Sequence, residues 1–261
     1  MSFPAAVDAF VPRDFKEFTM CSKTNSGYIS LSTLQSIALD AKQIASRDYA
    51  SRIEEPTLYR HCERSYLFGL AIVANGFPSG TPGVPQIPFA ELQNRLFHAN
   101  MLHDVGLAQH SEVVGHPAHA MSFELHGGVM AYEHLRSTDA SIDSERLGDI
   151  VQSIMTHTLT LPRGSTTAVG MLLQLGALFD VLGYDAFGEG SLNSLVNRRT
   201  VQEVLKAYPR GELGKEVAHF LDMMGQYKPH CLVLAGLPGF AERAAASVWP
   251  VDEAEEKGSN E

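Results

Sequence analysis

The sequence predicts an all-α protein built as one domain, and three observations support this fold class. Apolar residues recur at the three- to four-residue spacing of amphipathic helices in several blocks, and candidate cap residues precede some of them. Alternating apolar and polar runs, which are typical of strands, are scarce. The 261 residues are 44% hydrophobic and 19% charged, which suits a single soluble domain, expected to span residues 1–251.

The first helical blocks lead to two histidines. An apolar stripe over residues 34–45 predicts one helix. Residues 57 to about 74 predict a second helix, which contains His61, and residues 89–102 predict a third, which ends at His103. The sequence therefore presents each histidine on, or at the end of, an apolar helix.

Residues 75–88 separate the second and third helices. This segment contains three glycines and four prolines, which exclude a helix and predict an extended loop. A connection of this length often covers a binding site, so the loop is a candidate lid.

The later part of the chain predicts three more helices. Ser144 is a candidate cap for an amphipathic helix that reaches His157 before a proline ends it. Residues 169–182 are apolar nearly all round and predict a deeply buried helix. Thr200 and Glu203 have the spacing of a capping box for the third.

The charge of the chain limits its partners. The formal net charge is −10, and neither a nucleic-acid groove nor an anionic membrane surface is expected without clustered Lys and Arg. Residues 252–261 hold five acidic residues and one lysine and are predicted to be a disordered acidic tail. A small-molecule substrate is the expected partner, and homo-oligomer formation stays open.

The cysteines and the N-terminus bear on localisation. Cys21, Cys62 and Cys231 form an odd and sparse set, which fits reduced thiols better than a disulfide framework. The N-terminus lacks the pattern of a secretory signal, and no run of eighteen apolar residues occurs. A cytoplasmic protein is expected.

Four side chains are candidate ligands for one divalent metal: His61, His103, Asp104 and Asp180. Two imidazoles and two carboxylates can hold such an ion and leave a position open for water. Asp180 needs a partner most, because an unpaired carboxylate in an apolar helix would cost several kcal/mol. An ion pair with Arg64 is the alternative for Asp180, and a hydrogen-bonded core histidine is the alternative for His61.

The order His, His-Asp, Asp on a helical chain resembles the HD-domain superfamily of metal-dependent hydrolases. The string Met-Ser-Phe-Glu that ends at Glu124, the pair Gly127-Gly128, His157, and residues 175–183 around Asp180 are similar to its cyanamide hydratase branch, which is mostly fungal. The similarity covers about residues 57–209. It implies an HD-type helical bundle, one zinc ion per chain held by the four candidate ligands, and hydration of cyanamide to urea.

Zinc suits this donor set, because nitrogen and oxygen donors hold it and it lowers the pKa of a bound water to about 7. The resulting hydroxide would attack the electrophilic carbon of a nitrile-like substrate. His157 is the candidate for delivering a proton to nitrogen, Thr158 could orient either group, and Glu124 could act in catalysis or hydrogen-bond a ligand histidine. The alternative for His157 is a supporting or core residue.

Two departures from the resembled family bear on the substrate. The loop over residues 75–88 is longer, and so is the segment between Asp104 and Phe123. Four additional histidines occur near the motifs: His110, His116, His119 and His126. A second metal or surface and hydrogen-bonding roles could account for them. A related nitrile, isonitrile or other small metabolite stays open beside cyanamide.

Three other functions compete with the hydratase. A nucleotide phosphohydrolase of the HD type would need cations near the motifs, where only Arg60, Arg64 and Arg163 occur. A di-iron oxygenase would need further histidine ligands, for which His126 and His157 are candidates. A helical interaction protein that keeps the metal for stability alone is the non-catalytic reading.

Overall fold

The computed structural model describes residues 2–247 and residue 249, and it confirms the all-α prediction. The helices are α1 (Phe15–Cys21), α2 (Leu31–Leu34), α3 (Ala41–Ile53), α4 (Pro56–Ala74), α5 (Phe89–Leu102), α6 (Ser111–Val114), α7 (Phe123–Thr138), α8 (Ser144–Thr156), α9 (Ala168–Leu182), α10 (Arg198–Ala207), α11 (Leu213–Tyr227), α12 (Leu232–Gly236) and α13 (Phe240–Ala245). Short 3₁₀ helices lie at Val105–Leu107, Pro117–Ala120 and Gly183–Asp185. The predicted acidic tail lies outside the described residues.

Four three-residue strands join the N-terminus to two loops. They are β1 (Ala6–Asp8), β2 (Phe10–Pro12), β3 (Gln86–Pro88) and β4 (Ser165–Thr167). β1 pairs antiparallel with β3 with Val7 opposite Ile87, and β2 pairs antiparallel with β4 with Val11 opposite Thr166. The segment over residues 75–88 is otherwise non-helical, as its glycines and prolines predict, and its end is held by β1.

The starts of three helices differ from those predicted from the sequence. The stripe over residues 34–45 is split, because Asp40 caps a new helix with a capping box to Gln43. Asp143 rather than Ser144 caps α8. The capping box expected at Thr200 is wrong: α10 starts earlier, and the Thr200 side chain bonds the backbone of Ile29 instead.

The centre of the fold is the packing of α4 against α9. Every residue of α9 is buried, as the apolar run predicts. A Cβ built at Gly176 would overlap the carbonyl oxygen of Ser65, and one at Gly69 would lie 3.7 Å from the carbonyl oxygen of Leu172. These contacts pair 69 with 172 and 65 with 176, so the helices run antiparallel. One turn further, the same register brings residue 61 to residue 180.

A second close contact positions the end of α5. A Cβ at Gly106 would overlap the carbonyl oxygen of Phe123, and Gly127 lies against the backbone of His103 and Gly106. Absence of side chains at both glycines lets α7 lie directly on the turn that carries His103. Gly127 thus packs directly against the end of α5.

One described segment, Ala168–Asp185, is long and apolar enough to cross a membrane by length and composition. It includes α9, and 94% of it is buried inside the fold. Its apolar surface is therefore covered by the protein itself.

Candidate metal centre

Three of the four predicted ligands converge. One donor atom each from His61, His103 and Asp104 lies within 4.8 Å of the others, and all three residues are buried. His61 Nε2 lies 3.3 Å from His103 Nε2 and 3.6 Å from Asp104 Oδ2, while His103 Nε2 lies 3.3 Å from the same oxygen. The group could hold a metal ion.

Hydrogen bonds on the far side of each ring orient the imidazoles. His103 Nδ1 lies 2.8 Å from the carbonyl oxygen of Asn100, one turn earlier in α5. His61 Nδ1 lies 2.7 Å from Asp180 Oδ2. Because these acceptors bind the Nδ1 hydrogen, each Nε2 keeps its lone pair and faces the other ligands, which is the usual arrangement of metal-binding histidines.

Asp180 stands behind His61 and outside the converging group. Its carboxylate accepts hydrogen bonds from Arg64 Nε and Nη2 at 2.8 Å each, in addition to that from His61. This placement differs from the predicted ligand role: both oxygens are engaged by Arg64 and His61. The ion pair with Arg64, the alternative for Asp180, is present, and the carboxylate also orients His61.

The charge of Asp180 is secured by these partners. Burial by itself would raise the pKa of the Asp180 carboxyl, but the Arg64 charge and the hydrogen bonds from His61 and Arg64 hold it well below its usual value. Arg64 is fully buried and also donates to the carbonyl oxygens of Tyr208 and Pro209. The pair thus links α4, α9 and the end of α10.

The donor set fits a cation. Burial, with the charge of His61, lowers the pKa of His103 to about 3, which favours its neutral form. Burial raises the pKa of the Asp104 carboxyl. Within the described part of the chain, that carboxylate makes no ion pair with Lys or Arg and is faced by imidazole nitrogens. Neutral imidazoles and a buried carboxylate without a countercharge are what a divalent ion requires of its ligands.

His157 approaches the other side of Asp104. It caps the C-terminus of α8, its Nδ1 lies 2.7 Å from the carbonyl oxygen of Ile154, and its Nε2 lies 3.7 Å from Asp104 Oδ1. Burial, with the charge of His103, lowers its pKa. The ring lies beside the converging group, and its Nε2 is directed toward Asp104.

Glu124 and Thr158 bond each other beside the site. Thr158 Oγ1 donates to Glu124 Oε1 at 2.7 Å, and the backbone N–H of Val233 donates to the same oxygen at 2.9 Å. Ser122 donates to the other Glu124 oxygen. Glu124 therefore contacts the start of α12 and the turn after α8. The expected hydrogen bond to a candidate ligand histidine is not among its contacts in the described part of the chain, because Thr158, Ser122 and Val233 engage its carboxylate instead.

A cavity of about 50 Å³ opens at the ligands. Its polar end consists of the three ligands with His157 and Thr158, and apolar side chains form the rest of the wall. These are Leu107, Phe123, Ala177, Leu178, Val181, Val217, Phe220, Leu221, Val233 and Phe240. No lysine or arginine is among the described residues that line it.

The four additional histidines lie elsewhere. His116, His119 and His126 form a cluster with ring centroids 5.1 and 5.6 Å from that of His126. His116 also meets Glu133, and His110 caps α6. Among the described residues these histidines are not part of the converging ligand group.

Sequence reasoning missed two neighbours of the ligands. Glu54 is buried at the end of α3, where burial and the charge of Asp104 raise the pKa of its carboxyl well above the usual value. Cys62 Sγ lies 3.5 Å from Glu54 Oε2 and 3.6 Å from His103 Nδ1. The signal in the sequence is the position of Cys62 directly after His61. The contribution of α11–α13 to the wall was missed as well.

No protein-family model matches this chain, and no curated protein matches it. The resemblance to the cyanamide hydratase branch therefore stays a prediction, which the geometry described above has to support by itself.

Proposed function

We propose that this protein is a zinc-dependent hydratase that adds water to cyanamide, forming urea, or to a similarly small nitrile-like substrate. The observation that carries the proposal is the cavity, which has metal-binding donors at one end and apolar walls elsewhere. Sites for drug-sized ligands usually measure about 300–1,000 Å³, whereas this cavity measures about 50 Å³. A substrate of a few heavy atoms suits it.

The lining disfavours the phosphohydrolase. Enzymes that act on nucleotides hold the phosphates with lysine, arginine or metal clusters. Arg64, which pairs with Asp180 behind His61, is engaged by that carboxylate and two backbone carbonyls. A neutral substrate therefore fits the lining better than a phosphorylated one.

The chemistry needs one group that the chain itself does not supply. When bound, zinc lowers the pKa of water toward 7 and provides Lewis acidity. His61, His103 and Asp104 would hold the ion. Asp180 and the carbonyl oxygen of Asn100 fix the ring orientations, so the donors need little rearrangement to bind.

His157 would move the proton. Hydration forms one C–O bond to the nitrile carbon, breaks one C–N π bond and transfers one proton from water to the nitrile nitrogen. Transfer of the second proton from oxygen to the same nitrogen then gives the amide group of urea. His157 has Nε2 directed toward the site and Nδ1 bonded to a carbonyl, and its lowered pKa favours the neutral ring. A neutral Nε2 can take a proton from the attacking water and deliver it to nitrogen. Thr158 would help to close the polar end of the cavity.

One observation favours a second candidate, a di-iron oxygenase. His157 Nε2 faces Asp104 Oδ1, while His61 and His103 face Asp104 Oδ2. A carboxylate with nitrogen donors at both oxygens can bridge two ions. His126, the other histidine expected for that site, lies in the separate cluster with His116 and His119.

Metal analysis together with a urea assay tests the proposal. The purified chain is expected to contain about one zinc and to convert cyanamide to urea. The variant His103→Ala should lose both metal and urea formation, while Val114→Ala, at an exposed residue, serves as the matched control. Two irons per chain would support the oxygenase instead. Stoichiometric zinc with neither urea from cyanamide nor an amide from a small nitrile would contradict the hydratase.

A further inference from the structure

The last three described helices cover the cavity. Val217, Phe220 and Leu221 of α11 line it, together with Val233 of α12 and Phe240 of α13. The spacing 217, 220, 221 places the three α11 side chains on one face of that helix. Half of the apolar wall thus comes from a segment that carries none of the proposed metal ligands.

These helices form one unit. A Cβ at Gly214 in α11 would overlap the carbonyl oxygen of Ala244 in α13, so the two helices touch through their backbones. We refer to α11–α13 as the cover. Only Leu213, Leu221 and Met224 of α11 are buried, so a narrow apolar stripe attaches this helix.

Glu124 anchors the cover to the rest of the fold. Its Oε1 accepts from the backbone N–H of Val233 at 2.9 Å, and Ser122 Oγ accepts from the N–H of Leu232 at 2.8 Å. These N–H groups belong to the first turn of α12, where helical partners are lacking. Glu124 is fully buried and binds Thr158 with the same oxygen. One carboxylate therefore connects the cover to the residue that follows His157.

We propose that the cover sets the substrate size that the site accepts, with Phe220 as the residue that determines specificity and Glu124 as a positioning residue that holds the cover in place. Phe220 is half-buried and lines the cavity without being one of the proposed ligands. Its replacement by alanine is therefore expected to enlarge the cavity and to keep the three proposed ligands. The inference rests on the proposed metal site, and its test needs no turnover.

Binding of two hydroxamic acids to the zinc-loaded protein, measured by calorimetry, tests the role of Phe220. Acetohydroxamic and benzohydroxamic acid share a metal-binding head and differ in length. The native chain is expected to bind the short acid more tightly, by about tenfold or more, and Phe220→Ala to reverse most of that preference. Tyr227→Ala, which removes an exposed aromatic ring from the same helix, is the matched control and should keep the native ratio.

Hydrogen exchange tests the role of Glu124. Glu124→Ala should raise the rate of amide hydrogen exchange over residues 213–245 and reduce the difference in affinity between the two acids. Its zinc content should stay unchanged. Glu124→Gln keeps an acceptor for Val233 and Thr158 and should restore most of both properties. A general loss of stability would raise amide exchange over the whole chain instead of over this segment alone. It would also leave the relative affinity for the two acids unchanged.

The outcomes separate this inference from the proposed function. If Phe220→Ala keeps the native ratio of affinities for the two acids, the proposal that Phe220 limits substrate size is overturned. If Glu124→Ala keeps native amide hydrogen exchange over residues 213–245, its proposed positioning role is overturned. Failure of the zinc-loaded chain to bind either acid overturns the metal site and the inference together. Normal discrimination between the acids, with no hydration of cyanamide or of small nitriles, overturns only the hydratase.

Discussion

Ser65 and Gly176 meet where α4 crosses α9, and the carbonyl oxygen of Ser65 occupies the space that a side chain at position 176 would need. This contact lies one helical turn from the hydrogen bond between His61 and Asp180. The spacing of the two helices and the orientation of a proposed ligand therefore depend on the same glycine.

Gly176→Ala is expected to force the two helices apart. Overpacking of this kind typically costs about 1–3 kcal/mol in the free energy of unfolding, and the hydrogen bond from His61 to Asp180 should lengthen. Thermal unfolding and zinc content measure the two effects. Gly148→Ala is the control: it lies within α8 with open space around its Cβ position and should stabilise by up to about 1 kcal/mol. Equal behaviour of the two variants would contradict the close packing.

Asp180→Asn separates a supporting role from a ligand role. The change leaves the buried Arg64 without a countercharge, which should cost about 3–5 kcal/mol of stability. Loss of the carboxylate that orients His61 should weaken zinc binding about 10–100-fold. Stoichiometric binding should persist at high zinc concentration. Calorimetric titration with zinc is the measurement. Complete loss of the site at saturating zinc would instead show that Asp180 is itself a ligand.

His157→Gln tests the proton transfer. The variant should keep the zinc content of the native chain, because the three converging donors are unchanged. Loss of general acid–base catalysis should lower the rate of urea formation about 10²–10⁴-fold. Metal analysis and steady-state kinetics are read together. If this variant loses zinc, the division between ligands and proton donor is wrong.

His98 makes stability depend on pH. Burial, with charges of His134 and other nearby groups, lowers the pKa of His98 to about 4 from its usual 6.5, and its Nδ1 bonds the buried Ser46 at 2.9 Å. As the pH falls, the imidazole of His98 therefore binds a proton at a higher pH in the unfolded chain than in the folded one. Neutral His98 therefore contributes roughly 3 kcal/mol to the free energy of unfolding above about pH 6.5, and this contribution is lost as the pH falls toward 4.

Urea denaturation at pH 7 and pH 4.5 checks this dependence. The variant His98→Asn should be less stable at pH 7 and should lose less stability between the two values than the native chain. An identical loss in both chains would assign the pH dependence to other groups.

The sequence predicts the helices that carry the candidate ligands and does not show which side chains Asp180 contacts. Helical periodicity locates α4, α5 and α9 to within one residue, because each combines a long apolar pattern with a clear end. Asp180 lies in a helix that is apolar nearly all round, so periodicity cannot show which neighbour its side chain meets. Only the register of α4 and α9 determines that Arg64 and the Nδ1 side of His61 reach it.

The cover could not be predicted from the same signals. Its helices lie far along the chain from the histidine motifs, and Val217 and Phe220 look like ordinary members of an amphipathic stripe. The tie that holds them joins a side chain, Glu124, to a backbone N–H of Val233. Every residue except proline has a backbone N–H, so the sequence shows the acceptor, Glu124, but does not indicate which N–H it binds.

The antiparallel register of α4 and α9 has a consequence for how the centre can change over time. Deleting a single residue within either helix turns every later side chain by about 100° and carries His61 or Asp180 out of reach of the other. Length changes in the connecting loops leave that match intact. Evolution and protein engineers can thus change the length of these loops, whereas the two helices must be inherited or transplanted as a fixed pair.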